Sequence, residues 1–450
     1  MENNNKGIKK NKDKGNHMSD LFGEGEEAVP DFQQAQEIAE LKELQRCLDS
    51  GDMDGMTKEE CVHEYEALKE KVLAKMKARD QAPLYERVRV ALGWGNKSNN
   101  DNNNNNNNNN DNNNEKLVPE WVNAAANANR LRVEELEVHV RSAEAEGLGE
   151  GEVRDAAVAR ALYLVRICDK AGAEAALRAA EERCGAAAGV GQRLDLVCVR
   201  VRLELFCGDH AAAAAALDEA EALLTHNGSG GADWDRKNRL KVYRGVLAVA
   251  RRDLAAAAGL FLDALPTFSC HELFAPRDFV ALAAAVALPV LARPVLRERL
   301  LDAPEFAAAA RSLPGGVGAL ALALYGCDYQ AVLPALAAAE RAMRRSWVLA
   351  PHARFIAAEV RLRAYTQVLQ CHRTVRLDAM ARAFGGVSQE LLDADLSAFI
   401  ALGRLDCKID RVAGTVEPAR ADSHNTAYNT ALHDGDALLN RLQKLARLVV

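Results

Sequence analysis

Four short turns, each leading into an alanine-rich helix, constrain this chain more than any other feature. They read "DKAGAEAALRAAEE" from Asp169, "GDHAAAAAALDEAEALL" from Gly208, "RDLAAAAGLFLDAL" from Arg252 and "CDYQAVLPALAAAE" from Cys327. The first three lie about forty residues apart and the fourth falls at about twice that interval, a spacing of the kind helical-hairpin repeats use. Alanine is the best helix former, and its small side chain lets neighbouring helices approach closely. A turn followed by such a helix, repeated, predicts a solenoid of helical hairpins, TPR-like and degenerate, whose usual product is an extended surface for other proteins.

The chain is 450 residues long, which calls for two or three structural units. Hydrophobic residues make up 49% of it and aromatics only 5%, so alanine carries much of the apolar content. A formal charge of −7 and a pI near 5.9 argue against a general nucleic-acid binder, which carries a basic excess. The ten cysteines are scattered, none in a CxxC pair, and read as free thiols of a reducing compartment. The start, "MENNNKGIKKNKDKGNHMSD", has no apolar core for a signal peptide. The longest apolar run, "FVALAAAVALPVLA", is too short for a bilayer and is broken by Pro289. The expected location is cytoplasm and nucleus, with no membrane partner.

Along the chain, residues 1–30 are a polar extension expected to be disordered, and 31–95 an N-terminal helical segment. A polyasparagine insert, 96–117, cannot bury enough apolar surface to order itself, though such tracts also assemble in prion-like fashion. Residues 118–253 hold the solenoid; a second domain spans 254–422, helical to about 370 and a winged helix over about 371–420; 423–450 form a tail.

The winged helix is read from "TVRLDAMARAFGGVSQELLDADLSAFIALGRLDCKIDRVAGTVE". A helix ends at Gly385–Gly386, Ser388 is placed to cap the next, and Leu392, Leu396 and Phe399 form one stripe before a stop at Gly403. "CKID" and "GTVE" make a hairpin around Gly414. The second helix has recognition-helix length, but it carries Gln389, Glu390, Asp393 and Asp395 and no cation before Arg404. Duplex DNA would repel it, so Glu390 and Asp393 are candidate contacts for a protein neighbour instead.

The strongest basic cluster, "DWDRKNRLKVYRG" (233–245), could track RNA, but its interleaved Leu240 and Val242 also suit a structural helix with ion-pairing arms. "HELFAPR" lacks the second histidine of a zinc-protease motif, "GLGEGE" and "PGGVG" lead to no GK[ST], and no nucleophile is paired with a base. No catalytic, cofactor-binding or metal-binding residue is expected, and no cofactor.

The last segment, "DGDALLNRLQKLARLVV" (434–450), places Leu438, Leu442, Leu445 and Val449 on one helical face with Leu439 beside it. Arg441, Lys444 and Arg447 occupy the other side. A surface helix packing on its own domain has the same pattern, but little domain is left to cover this one. Against a partner, four such side chains contribute roughly 6–10 kcal/mol of gross burial before ordering costs.

Helical repeats running into a winged helix and a tail helix resemble the layout of PCI-domain proteins. Longer strings, "ADWDRKNRLKVYRGVLAVARRDLAAAAGLFLDALPTFSCHELF", "APHARFIAAEVRLRAYTQVLQ", "LSAFIALGRLDCKIDRVAGTVE" and "LLNRLQKLARLV", resemble the proteasome 26S non-ATPase regulatory subunit 6 family. "QAPLYERVRVALGW" matches an N-terminal piece of it, while the basic Asn-rich start and the asparagine insert depart from its pattern. The resemblance implies a non-catalytic scaffold subunit of the 19S regulatory particle lid, supporting ATP-dependent degradation of ubiquitinated proteins. Its partners would be other PCI subunits of the lid and the wider particle, with winged helices pairing side by side and tail helices gathering in a bundle. Residues around 371–420 would then give the lateral contacts, and Leu438, Leu442, Leu445 and Val449 the bundle face. A COP9 signalosome scaffold subunit and an RNA-binding initiation-factor subunit are the alternatives.

Overall fold

The computed structural model describes residues 30–51, 57–94, 119–147, 149–184, 190–226, 234–419 and 423–449. The expected disorder of the N-terminal extension and the asparagine insert fall outside these residues. The described chain divides into two compact units, one running to Pro314 and adding 341–353, the other holding 315–340 and 354 onward.

The first unit opens with α1 (Phe32–Ser50), α2 (Lys58–Ala78) and α3 (Ala82–Ala91). Asp31 caps α1 by accepting from the Gln33 amide, and Thr57 with Glu60 forms a reciprocal capping box on α2. After the insert come α4 (Glu120–Ala145) and three hairpins: α5 (Glu150–Arg166) with α6 (Lys170–Arg183), α7 (Val190–Cys207) with α8 (His210–His226), and α9 (Trp234–Ala250) with α10 (Leu254–Ala264). Then follow α11 (Pro276–Ala287), α12 (Arg293–Leu296) and α13 (Pro304–Ala309).

The turns that opened the sequence reading are the closures of these hairpins, and they share one geometry. Cys168, Gly208 and Arg252 each take a left-handed conformation (φ 60°, 78° and 62°) after the last helical turn. The aspartate that follows donates its amide back to the carbonyl five residues earlier, at 3.2, 2.9 and 2.9 Å for Asp169, Asp209 and Asp253. Its carboxylate then caps the next helix, accepting from the amides of Gly172, Ala212 and Ala256. Two residues thus satisfy a helix C-terminus and a helix N-terminus together. Cys327–Asp328 repeats the left-handed step (φ 59°) and the back-donated amide (3.0 Å).

Alanine sets the packing. The face α6 buries is Ala173, Ala176, Leu177 and Ala180, and α8 repeats it with Ala213, Ala216, Leu217 and Ala220. Buried amides bind the N-terminal helices to this array: Gln34 donates to Gln81 at 2.8 Å and Gln81 to the Arg166 carbonyl at 2.9 Å. Asn129 donates to the Asp80 carbonyl at 2.7 Å and accepts from the Tyr163 hydroxyl at 2.9 Å.

The second unit contains α14 (Val317–Gly326), most of α15 (Tyr329–Arg345) and α16 (Ala353–Cys371), then β1 (Val375–Arg376), α17 (Leu377–Ala383), α18 (Gln389–Ala401), β2 (Cys407–Asp410), β3 (Thr415–Pro418) and α19 (Ser423–Val449). The fold is therefore a helical solenoid followed by a winged helix. The sheet is antiparallel in the order β1-β3-β2, with Val416 opposite both Val375 and Ile409. The sequence reading expected the hairpin but not β1, whose two residues are too few to leave an alternating pattern. It also started the tail helix at Asp434, whereas α19 begins at Ser423.

Candidate protein interaction surfaces

Gly385 and Gly386 (φ 82° and 81°) reverse the chain between α17 and α18, a conformation that needs residues without a Cβ. Ser388 then caps α18, its hydroxyl accepting from the Leu391 amide at 3.3 Å. Leu392, Leu396 and Phe399 are buried, as their stripe predicts. The acidic face is divided. Asp395 points inward, 3.1 Å from the Tyr365 hydroxyl and 3.2 Å from Arg361, and burial together with this carboxylate pushes the Tyr365 phenol upward from its ordinary pKa. Asp393 pairs with Arg411 of the wing at 2.8 Å, while its other oxygen is buried without a hydrogen-bond partner. Glu390 is exposed on the first turn.

Arg404 holds Glu359 in a bidentate pair, at 2.8 and 2.6 Å, between the end of α18 and α16. At the wing tip Asp410 accepts from the amides of Val412 and Ala413 at 2.9 and 3.1 Å, and this turn leaves Val412 100% exposed. Leu391 and Leu402 are also exposed, the latter at 72%. Sequence reasoning missed these three apolar residues, because it followed the buried stripe and the charges; an apolar residue in a wing turn was the available signal.

The terminal helix carries the larger exposed surface. Leu438, Leu439, Leu442 and Leu445 are 60%, 58%, 61% and 61% exposed. Tyr428 and Leu432 are exposed on the added N-terminal turns and, eleven and seven residues before Leu439, lie on its side of the helix. Val449 ends the helix, and its side chain lies outside the described residues. A helix of this length spans about 40 Å, at about 1.5 Å per residue.

The three arginines of the basic cluster on α9 are answered within the chain. Arg236 makes a bidentate pair with Asp195 at 2.9 and 2.7 Å. Arg244 reaches Asp218 at 2.6 Å and Glu221 at 2.9 Å. Arg239 lies 2.9 Å from Asp235 and 3.8 Å from Glu272, which also accepts from the buried Tyr243 hydroxyl at 2.5 Å. Glu272 of "HELFAPR" is thus the acceptor of an internal network. The ten cysteines are free thiols, most of them buried. Among the described residues no His, Cys, Asp or Glu cluster is placed to hold a metal, and no helix is long and apolar enough to cross a membrane.

Comparison with known proteins gives matches over the solenoid, the winged helix and the terminal helix. Residues 119–299 match the family described as 26S proteasome subunit RPN7, and 336–418 match the PCI domain. Residues 427–449 match the 26S proteasome regulatory subunit RPN7/PSMD6 C-terminal helix. The 26S proteasome non-ATPase regulatory subunit 6 homolog of Arabidopsis thaliana is 39% identical over 302 residues, covering 67% of this chain and 76% of that protein. The Oryza sativa subunit 6 is 38% identical over 302 residues, 67% of this chain and 75% of its own length. Regulatory subunit RPN7 of Saccharomyces cerevisiae is 30% identical over 381 residues, 84% of this chain and 87% of the yeast protein. The chain belongs to the RPN7/PSMD6 family of 26S proteasome regulatory subunits.

Proposed function

We propose that this chain is a non-catalytic scaffold subunit of the 19S regulatory particle lid, present in cytoplasm and nucleus, which supports degradation of ubiquitinated proteins by holding other PCI subunits in place. The observation that carries this reading is α19: a long helix whose leucine stripe stays in water along its described length. Apolar side chains in such number gain free energy only when something covers them. A bundle of helices from neighbouring subunits is a suitable cover, with Arg441, Lys444 and Arg447 left on the polar side. The exposed Leu391, Leu402 and Val412 of the winged helix, with Glu390 beside them, supply a second and smaller contact for a lateral neighbour.

The test is affinity isolation of tagged chain from its own cells, comparing the native protein with the Leu442→Asp/Leu445→Asp double variant. Native chain is expected in a particle with ATPase-ring and core-peptidase subunits, and the variant outside it with its helical circular dichroism retained. Normal incorporation of the variant overturns the role given to α19. A smaller particle that contains a deneddylase and lacks the peptidase core moves the chain to the signalosome.

A further inference from the structure

A groove of about 820 Å3 opens within the first unit. One wall is the face of α1 that carries Ile38 and Lys42; Val246 of α9 and Trp347 line it elsewhere, and Arg87 of α3 stands at its side. The lining is apolar apart from its charges, and those charges are unevenly met. Arg46 is paired with Glu43 at 2.6 Å. Lys42 and Arg87 have no carboxylate partner among the described residues, although Arg87 touches Cys207 at 3.1 Å. Lys42 is exposed, yet the protein around it and then Arg87 hold its ammonium below the ordinary lysine value. An apolar trough with two unanswered cations, against one unanswered carboxylate at Glu86, suits an acidic segment that also carries bulky apolar side chains.

Such a segment lies immediately upstream. Phe32, the first residue of α1, packs against Phe206 at 5.9 Å and Trp347 at 4.9 Å, and both of those rings line the groove. The chain therefore enters α1 at the groove's rim. The residues before it read "DLFGEGEEAV" (20–29), with Asp20, Glu24, Glu26 and Glu27 beside Leu21 and Phe22. Lys42 stands about 15 Å along the helix axis from Phe32, whereas ten extended residues reach about 33 Å.

We propose that residues 20–27 of this chain occupy the groove, running back along α1 so that their glutamates pair with Lys42 and Arg87 while Leu21 and Phe22 cover the apolar wall. Tethering favours this occupant over a free one: a short linker supplies an effective concentration near the millimolar range, so an intrinsic affinity of about 0.2 mM fills the groove roughly 80% of the time.

The experiment compares full-length chain with chain lacking residues 1–29, both monomeric and checked for equal helical content. Lys42 acylation by an amine-reactive ester, read peptide by peptide in a mass spectrometer, is expected to be about fivefold slower in the full chain at that occupancy. Zero-length carbodiimide treatment of the full chain is expected to join Lys42 to Glu24, Glu26 or Glu27, and Arg87→Glu, which keeps Lys42, is expected to abolish that link. Equal acylation rates with no such link overturn the proposal. Links that form only between isotopically distinct copies overturn it too, assigning the groove to a second molecule. Protection of Lys42 in the truncated chain on assembly with other subunits, without protection in the free full chain, gives the groove to a partner.

Discussion

Tyr365 of α16 donates its hydroxyl to Asp395 of α18 at 3.1 Å, and this bond turns a residue of the acidic helix into part of the domain core. The same tyrosine ring packs edge-on against Phe384 and Phe399. Tyr365→Phe keeps those ring contacts and leaves Asp395 with Arg361 alone. The expected cost is about 1.5–3 kcal/mol, the range for a hydrogen bond to a charged group, read as a lower denaturant midpoint with an unchanged slope. Asp395→Ala is expected to cost more, because it strips the partner from both Tyr365 and Arg361.

Gly245 sits in the middle of α9, where alanine would ordinarily favour the helix by about 1 kcal/mol. Here a Cβ would stand inside contact distance of the Phe261 ring of α10, with Cδ1 at 2.8 Å. That ring cannot retreat, since it is fully buried and packed edge-on against Phe279 at 5.6 Å. Gly245→Ala is therefore expected to destabilise the first unit by about 1–3 kcal/mol, the usual cost of overpacking. Thermal unfolding decides it; a raised midpoint would show that the α9–α10 hairpin yields.

How far the sequence went depends on the kind of signal. The hairpin turns were legible because a left-handed residue followed by an N-capping aspartate uses few residue types, and "GD", "RD" and "CD" stand out before alanine-rich runs. Ser388 and Gly403 were legible for the same reason, each marking one end of α18. What stayed hidden was non-local. Nothing near Asp393 announces its pairing with Arg411, and nothing in "HELF" reveals that Glu272 answers Tyr243 and Arg239. The early start of α19 was hidden by "SHNTAYNTALHDG", whose polar residues have indifferent helix propensity, so Tyr428 and Leu432 were not added to the stripe.

The shared turn geometry makes its own forecast. Asp253 accepts from the Ala256 amide at 3.1 Å while its own amide closes α9 on the Ala248 carbonyl at 2.9 Å. Asp253→Ala removes the first function and keeps the second, with an expected loss of about 0.5–2 kcal/mol. Asp253→Asn, which retains a cap oxygen, is expected to recover most of it. Loss in both variants would instead point to the carboxylate charge.

His352 makes the first unit sensitive to acid. Its Nδ1 accepts from Arg252 Nε at 3.4 Å, and burial, then Arg252, then His210 hold its pKa below the ordinary histidine value. The unfolded chain takes up this proton near pH ~6.5, whereas the folded chain does so only at a lower pH. Stability from this site is thus complete above about pH 6.5 and is lost as the pH falls toward the depressed value. His352→Gln is expected to flatten the stability profile between about pH 7.5 and 5.5, since its amide cannot be charged. An equal slope in variant and native chain would assign that acid sensitivity to other groups.

Removing α19 separates folding from assembly. The described side chains of this helix are almost all exposed, so a chain ending at Ala419 loses little that the rest of the molecule rests on. Its unfolding midpoint is expected to match the native chain within about 0.5 kcal/mol, the scatter of a surface change. Partner capture is expected to fail if, as proposed, burial of the leucine stripe drives it. The double Asp variant is expected to fail in the same way while keeping the helix, and that outcome would trace the loss to the apolar face rather than to the length of chain. A truncated chain that unfolds markedly earlier would show that α19 packs on its own unit in solution. The capture defect would then follow from instability rather than from a lost interface.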